Sequence, residues 1–333
     1  MDKTVVGITM GDPAGIGPEI ILKALRSNKL CSTCKPLVIG SIDVLKRAEE
    51  FVQSGLKLNA VRSVEEGEYI PGVANIIPID NINAESIQYG KIQAEAGRAA
   101  FLCIKAAAGL AASGKIKAIA TAPINKESIK AAKVGFIGHT EMLADLTGTN
   151  DPLTMFQVHN LRVFFLSRHV SLRRACELVE RDRLVNYIER CGNALSRLGF
   201  ERKKIAVAGL NPHGGEHGLF GDEEVAQIEP AIKISREKGI DVVGPVPADS
   251  VFCQALNGRY DAVLSLYHDQ GHIATKMVDF ERTISLTIGL PFLRTSVDHG
   301  TAFDIAGEGT ASSVSMEEAV LLAAEYSKSY GIK

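Results

Sequence analysis

The stretch Asp261-Ala-Val-Leu-Ser-Leu-Tyr-His-Asp-Gln-Gly-His272 decides the fold that we predict for this chain. Its apolar part, Ala262–Leu266, is short, uninterrupted and bounded by polar residues, which is typical of a strand buried on both faces of a sheet. Because open α/β sheets bind ligands at the carboxyl ends of their strands, we predict a functional site directly after it. The polar residues found there are Tyr267, His268, Asp269, Gln270 and His272.

Two further apolar runs end in the same way. Val163–Leu166 leads into Ser167-Arg168-His169, and Ile205–Leu210 leads into Asn211-Pro212-His213. Strand and helix patterns alternate along the chain, which predicts parallel βαβ units. The three strands should therefore end at one edge of one sheet. The imidazoles expected to meet at that edge are those of His169, His213 and His268.

Three converging imidazoles would form a metal site with one coordination position left for a substrate oxygen. Asp249 and Asp269 are candidates to orient these ligands through hydrogen bonds. The alternative is that two of the histidines are ordinary hydrogen-bonded loop residues, because their spacing matches no local metal motif such as H-E-x-x-H. The ion is left open among zinc, cobalt, manganese and magnesium, of which imidazole ligands favour the borderline ions.

Two cationic residues flank the next predicted strand, Ile284–Ile288. Lys276 precedes the strand, and Arg294 follows it. Arginine grips a carboxylate or phosphate with two parallel hydrogen bonds, and lysine acts as a point charge. Surface salt bridges are the alternative for both residues, but their closeness in sequence to His268 favours a place in the same site.

The composition excludes several classes of protein. The 333 residues are 46% hydrophobic and 23% charged with a net charge of −2, which indicates a globular protein with a sizeable core. Nucleic acid and acidic membrane surfaces are not expected partners, since no block of like charge is present. The N-terminal residues resemble no signal peptide, and no apolar run approaches a transmembrane length, so we expect a cytoplasmic protein.

The loop Gly11-Asp-Pro-Ala-Gly-Ile-Gly-Pro-Glu19 lies between a predicted strand, Val5–Met10, and a predicted helix, Pro18–Ser27. It is glycine-rich, but it matches neither the G-x-G-x-x-G fingerprint nor a P-loop. Either it forms a tight turn anchored by Asp12, or it presents a helix N-terminus to the active cleft. Further along, Gly138-His-Thr-Glu141 opens a helix in which Thr140 is a plausible N-cap.

Several long motifs resemble the 4-hydroxythreonine-4-phosphate dehydrogenase family, and the resemblance runs nearly end to end. They are GDPAGIGPE (11–19), GHTE (138–141), LNPHGGE (210–216), PADSVF (248–253), YHDQG (267–271) and GLPFLRTSVDHGTAFDIAG (289–307). The resemblance implies an isocitrate/isopropylmalate dehydrogenase-like fold with two α/β domains and a cleft between them. We assign residues 1–123 plus 289–333 to the cofactor-side domain and 124–288 to the metal, substrate and dimerisation domain.

The resemblance also implies roles for individual residues. It makes His169, His213 and His268 the ligands of one divalent ion per active site, and it implies a homodimer whose active site draws on both subunits. NAD is preferred to NADP because no arginine cluster for a 2′-phosphate is evident. The implied cofactor-binding residues are His299, Gly300, Thr301, Ala302 and Asp304. The implied substrate contacts are His139, Thr140, Lys276 and Arg294.

One departure from the pyridoxine-pathway pattern bears on the substrate. That pattern has an asparagine nine residues after the lysine that corresponds to Lys276, and this chain has Ser285 there. The amino-acid sequence from His272 onward also differs. A shorter hydroxyl side chain would suit a substrate hydroxyl in place of an amino group. The pattern therefore resembles the branch that oxidises D-threonate or D-erythronate 4-phosphate.

The predicted reaction is NAD- and metal-dependent oxidation of the 3-hydroxyl of such a four-carbon acid-sugar 4-phosphate, followed by decarboxylation to dihydroxyacetone phosphate. The base is left open among Lys276, Asp249 and a hydroxide on the metal. The alternative substrate is 4-hydroxythreonine 4-phosphate, the intermediate of pyridoxal phosphate biosynthesis. An alternative of another class is a metal-dependent phosphoester hydrolase, since three imidazoles with an open position would serve it equally well.

Overall fold

The strands predicted before the three candidate histidines are present in the computed structural model, which describes residues 3–80, 82–136 and 138–331. The strands are β1 (Val5–Thr9), β2 (Lys35–Gly40), β3 (Lys57–Ala60), β4 (Val73–Pro78), β5 (Ala118–Thr121), β6 (Leu153–Val158), β7 (Leu161–Phe165), β8 (Ile205–Ala208), β9 (Val242–Val246), β10 (Ala262–Ser265), β11 (Ile284–Ile288) and β12 (Leu293–Val297).

Helices separate most of these strands, as the alternating pattern predicts. They are α1 (Gly17–Leu25), α2 (Asn28–Thr33), α3 (Ile42–Val52), α4 (Ala94–Ala112), α5 (Lys126–Ala131), α6 (His139–Thr147), α7 (Leu172–Glu177), α8 (Arg181–Arg197), α9 (Glu229–Glu237), α10 (Ala248–Leu256), α11 (His268–Val278) and α12 (Val314–Tyr326). No helix within the described residues is both long enough and apolar enough to cross a membrane.

The chain divides into two compact units. Unit 1 comprises the described residues of 1–152 and 284–331, and unit 2 comprises 153–283. The boundaries predicted from the sequence lie at 123/124 and 288/289. The difference of about thirty residues at the first boundary arises because α5 and α6 pack against α4, which belongs to unit 1.

Unit 1 contains a sheet in the order β3-β4-β2-β1-β5-β12-β11. Its strands are parallel except for the antiparallel pair β11–β12. Apolar side chains from the sheet and from α4 form its core, including Leu37, Ile39, Ile104 and Ile119, none of them more than 1% exposed. The central strand β1 is buried from Val6 to Thr9, as expected for a strand covered on both faces.

Unit 2 contains a sheet in the order β6-β7-β10-β8-β9. The strands β7, β10, β8 and β9 are parallel, and β6 pairs antiparallel with β7. Its core lies around Phe156, Val163, Ala206 and Val263, all of them buried. The predicted α/β class is therefore observed in both units. The expectation of parallel pairing throughout was wrong for β6–β7 and β11–β12, which are hairpins joined by short turns.

Candidate functional site

The three strands that precede the candidate histidines are adjacent and parallel. β10 lies between β7 and β8, with Val263 opposite both Val163 and Ala206. Their carboxyl ends therefore meet at one edge of the sheet of unit 2, as the sequence predicts. The residues just beyond these ends include His169, His213 and His268.

His268 is the first residue of α11, and its side chain is about half exposed. Its Nδ1 lies 2.6 Å from Oδ1 of Asp269, so the predicted orienting role of this carboxylate has a matching contact. A proton on Nδ1 shared with the carboxylate leaves Nε2 as a lone-pair donor. The His169 ring lies 6.1 Å from the His268 ring, centroid to centroid. Two of the three imidazoles are therefore neighbours.

His213 lies in an irregular turn, Pro212–Gly218, whose inner residues have left-handed backbone angles, with φ of 53° at His213 itself. The buried carboxylate of Glu224 fixes the start of this turn by accepting from the backbone N–H groups of Leu210 and Asn211, both at 2.7 Å. The His213 ring faces Phe220 at 6.3 Å, centroid to centroid.

Within the described residues, no three His, Cys, Asp or Glu side chains are grouped closely enough to hold a metal ion. The donor types nevertheless suit a borderline divalent ion, and the strand ends place them at one edge. The chemistry of the donors therefore fits a metal. A complete set of three would require the Pro212–Gly218 turn to bring His213 to the other two rings.

Residues 267–272 were predicted to be a polar cluster after a strand, and α11 was not predicted. In the structure His268, His272 and Lys276 are spaced by four residues on α11, so they share one face of the helix. This four-residue spacing was the sequence signal that could have revealed the helix. Lys276 also lies 4.9 Å above the ring of Phe280.

His272 is the buried member of this face, with 8% of its surface exposed. Its ring stacks on Phe165 at 4.7 Å, meets Phe156 edge-on at 4.4 Å and lies 4.1 Å from the His268 ring. Burial lowers the pKa of His272 to about 4, with the charges of His268 and Lys276 acting in the same direction. A buried, neutral imidazole thus packs between the two phenylalanine rings and the His268 ring.

Gln270 ties the ends of two strands together, a role that the sequence analysis missed. Its Oε1 accepts from the N–H of Leu266 at 2.8 Å, and its Nε2 donates to the carbonyl of Gly209 at 2.8 Å. Asp249 is exposed near the start of α10 and lines a cavity of about 580 Å³ together with Tyr267 and Asp269. The candidate base therefore lies in one cavity with the residues that follow β10.

Two candidate substrate residues of unit 1, Arg294 and Ser285, are buried. Arg294 is 4% exposed, and it donates to Oγ1 of Thr121 at 2.8 Å and to Oγ1 of Thr287 at 3.2 Å. The alternative of a surface salt bridge is therefore wrong for Arg294. Ser285 is 8% exposed on β11, directly opposite Ser296 on β12.

His139 and Thr140 are the first two residues of α6, in unit 1. The His139 Nε2 is shielded from solvent and has no hydrogen-bond partner in the described structure. Burial lowers the pKa of His139 well below its usual value, and the charge of Arg294 acts in the same direction. The prediction that Thr140 caps the helix was wrong, because Gly138 occupies the N-cap position.

The predicted cofactor residues lie in the irregular segment 298–313, between β12 and α12. Thr301 is buried, Asp304 is exposed, and Ala302 has a left-handed φ of 40°. The Nδ1 of His299 lies 3.0 Å from the carbonyl oxygen of Gly300. No regular element presents these residues, which explains why no helix or strand pattern points to them.

Comparison with known proteins identifies relatives over nearly the whole chain. The model of the family described as "Pyridoxal phosphate biosynthetic protein PdxA" matches residues 32–323. A Clostridium botulinum protein named "Putative D-threonate 4-phosphate dehydrogenase" is 56% identical over 329 residues, which covers 99% of this chain and 98% of the relative. A Symbiobacterium thermophilum protein of the same name is 56% identical over 98% of both chains.

Solved structures give the same result. The crystal structure of 4-hydroxythreonine-4-phosphate dehydrogenase from Klebsiella pneumoniae superposes with a TM-score of 0.90 at 42% identity, covering 98% of this chain and all of that one. The corresponding enzyme from Burkholderia phymatum gives a TM-score of 0.87 at 43% identity, over 98% of this chain and 99% of that one. The α/β architecture described above is therefore that of these dehydrogenases.

Proposed function

Because this chain belongs to the PdxA family of pyridoxal phosphate biosynthetic proteins, we propose that it is an NAD- and divalent-metal-dependent dehydrogenase of a four-carbon acid-sugar 4-phosphate. The relatives named above are dehydrogenases, and the chain is accordingly an oxidoreductase. The structural observation that carries the proposal is the meeting of β7, β10 and β8 at one sheet edge, with His169, His268 and the α11 face beside it.

The choice of substrate rests on sequence similarity and on Ser285. The relatives named for D-threonate 4-phosphate are 56% identical to this chain, whereas the two 4-hydroxythreonine-4-phosphate dehydrogenases are 42% and 43% identical. The buried hydroxyl of Ser285 can donate to or accept from a substrate hydroxyl. D-threonate 4-phosphate is therefore the first candidate, and D-erythronate 4-phosphate is the second.

In the proposed reaction the 3-hydroxyl carbon of the substrate gives a hydride to NAD⁺, and the hydroxyl proton goes to a base, for which Asp249 and Lys276 are the candidates. The resulting β-keto acid loses CO₂ by cleavage of its C1–C2 bond, and the enolate that is left takes up one proton at C2 to give dihydroxyacetone phosphate. Lys276 and Arg294 would hold the anionic ends of the substrate, assisted by His139 and Thr140. A divalent ion held by His169, His213 and His268 would supply Lewis-acid chemistry at a substrate oxygen.

The test is a comparison of substrates with purified protein, NAD and a divalent ion. We expect NADH and CO₂ to form with D-threonate 4-phosphate, with kcat/KM at least about a hundredfold above that for 4-hydroxythreonine 4-phosphate. The reason is that an ammonium group accepts no hydrogen bond, so it would leave a buried donor aimed at the substrate hydroxyl unpaired. Omitting NAD is the control. Oxidation of 4-hydroxythreonine 4-phosphate alone would refute the substrate choice, and release of phosphate without NADH would indicate the hydrolase.

We also propose a homodimer, and α11 offers a surface for a second copy of the chain. Ile273, Met277 and Phe280 are spaced by four and three residues and are 62%, 80% and 61% exposed. A row of exposed apolar side chains at helical spacing is suited to burial against another protein surface. Ile273 and Met277 lie on the helix that carries His268 and Lys276, and Phe280 lies two residues beyond its end, so association there would place the second copy close to the proposed site.

Met277→Lys is expected to shift the molar mass in solution from twice 35.7 kDa toward the single-chain value. The reason is that a charge at the centre of an apolar interface loses its hydration without gaining a partner. Light scattering coupled to gel filtration measures this mass. Ile70→Lys is the matched control, since Ile70 is 53% exposed in unit 1. A single-chain mass for the unaltered protein would contradict the proposal.

A further inference from the structure

The segment 298–313, which contains the proposed NAD residues His299–Asp304, has almost no regular structure of its own. Its internal backbone hydrogen bonds are long, at 3.2 Å from Ile305 N to the Ala302 carbonyl and 3.3 Å from Glu308 N to the Ile305 carbonyl. A segment so weakly held by its own bonds binds a ligand well only if neighbouring elements fix its shape in advance. The elements that fix it lie in the GDPAGIGPE motif and the helix that follows.

Two side chains of α1 hold the far end of this segment. Lys23 Nζ donates to the carbonyl oxygens of Gly309 and Ala311, at 2.7 and 2.6 Å. One helical turn earlier, Glu19 accepts from the backbone N–H groups of the same two residues, at 3.2 and 3.3 Å. Glu19 is only 1% exposed. An acid and a base four residues apart thus satisfy both the donors and the acceptors of one stretch of backbone.

The near end of the segment is held by the turn that precedes α1. The N–H of Ile16 donates to the carbonyl of Thr301 at 3.0 Å. A Cβ on Gly15 would lie 2.8 Å from that same carbonyl oxygen, so only glycine permits the approach. The middle of the segment packs closely on the backbone at Gly90, where a Cβ would lie 2.5 Å from the carbonyl oxygen of Phe303.

We infer that Gly15, Ile16, Glu19 and Lys23 form a cradle that shapes the NAD-binding segment, with Glu19 and Lys23 as positioning residues for the cofactor. The inference rests on the proposed function, because it takes residues 299–304 as the cofactor site. It assigns a purpose to the glycine-rich motif: Asp12, whose Oδ1 accepts from Ala14 N at 2.8 Å, closes the tight turn, and the residues after the turn grip a second loop. The motif and α1 then support a nucleotide site through the backbone of residues 301–311.

Lys23→Met tests the cradle. We expect the KM for NAD and the dissociation constant of NADH, measured by its fluorescence, to rise about tenfold. This is less than the full value of two hydrogen bonds from a charged donor, because Lys23 acts on the shape of the segment and does not contact the cofactor itself. The kcat and the KM for the phosphorylated substrate should stay unchanged, and Lys23→Arg should restore part of the NADH affinity. Amide hydrogen exchange at Gly309 and Ala311 should accelerate in Lys23→Met. A general loss of structure would instead lower kcat together with kcat/KM for NAD and kcat/KM for the phosphorylated substrate.

Glu19→Gln provides a second variant, which removes the charge while keeping the size of the side chain, and it carries the test alone if Lys23→Met does not fold. Arg26→Met is the matched control: it removes one positive charge from the exposed end of α1 and should leave NADH affinity unchanged. Equal NADH affinity in the unaltered protein, Lys23→Met and Glu19→Gln would overturn the inference. An unaltered protein that binds no NADH at all would instead overturn the proposed function.

Discussion

Replacing His268 with alanine is expected to abolish tight binding of a divalent cation and, with it, NADH formation. His268 begins α11 at the end of β10, its Nδ1 is engaged by Asp269, and its ring rests on His272. Loss of a side chain that merely orients a ligand costs about 10- to 100-fold in metal affinity, so loss of a direct ligand should exceed a hundredfold. Metal content after dialysis and calorimetric titration with Zn²⁺, Co²⁺ or Mn²⁺ measure the effect independently of activity.

His213 and His217 make this test sharper, because they form a matched pair. Both are exposed in the Pro212–Gly218 turn, and both have left-handed backbone angles, with φ of 53° and 57°. We expect His213→Ala to lose the metal as fully as His268→Ala, whereas His217→Ala should keep it. Retention of metal by His213→Ala would remove His213 from the ligand set. Unchanged metal affinity in both His213→Ala and His268→Ala would contradict a metal site at this sheet edge.

The strands of the site could be predicted from the sequence because burial alone determines them. Val163, Val207 and Val263 belong to apolar runs that are buried on both faces, and such runs have few alternatives to a central parallel strand. Alternation with helices then fixed the parallel pairing of β7, β10 and β8. The meeting of the three strand ends at one edge followed from this pairing without any local motif. The structure brings the His169 and His268 rings to 6.1 Å of each other, whereas the His213 ring faces Phe220, so the convergence of all three histidines stays a prediction.

The helix α11 escaped prediction because tertiary packing overrides its local sequence. Gly271 lies in its first turns, where glycine costs about 1 kcal/mol relative to alanine. The structure shows why glycine is needed there: a Cβ would lie 2.5 Å from the ring of Phe165. The same close approach lets His272 stack on Phe165. Gly271 thus lowers the helix propensity of this stretch and also allows the helix to pack on β7.

The two hairpins and the irregular segments were also not predicted from the sequence. His159-Asn160 joins β6 to β7 in two residues, a spacing typical of an antiparallel hairpin, and His159 adopts a left-handed φ of 48°. The segment 298–313 has no periodicity, so only the family resemblance pointed to its residues. His213 was predicted from its position after an apolar run, but no pattern predicted the shape of the turn that contains it. Their conformations depend on distant partners such as Glu224, Glu19 and Lys23, which no local pattern reveals.

Gly97→Ala is expected to destabilise unit 1 by about 3 kcal/mol or more, although alanine is the better helix former. Gly97 lies inside α4, where a Cβ would be 2.1 Å from the carbonyl oxygen of Ser128 and 2.6 Å from the backbone nitrogen of Ile129. Both contacts are with the backbone of α5, so no side-chain rotation can relieve them. The alanine-rich surface of α4 therefore serves close packing of one helix on another, and Gly97 is the point of nearest approach.

Gly109→Ala, in the same helix, is the matched control. Gly109 is exposed, and a Cβ there would meet nothing within 4 Å. The substitution should therefore stabilise the protein by about 0.5–1 kcal/mol, which is the helix preference of alanine over glycine. Urea unfolding followed by circular dichroism should place the midpoint of Gly97→Ala below that of the unaltered protein and the midpoint of Gly109→Ala above it. If both variants were more stable, helix propensity would outweigh packing, and α4 and α5 could not lie as close as the structure places them.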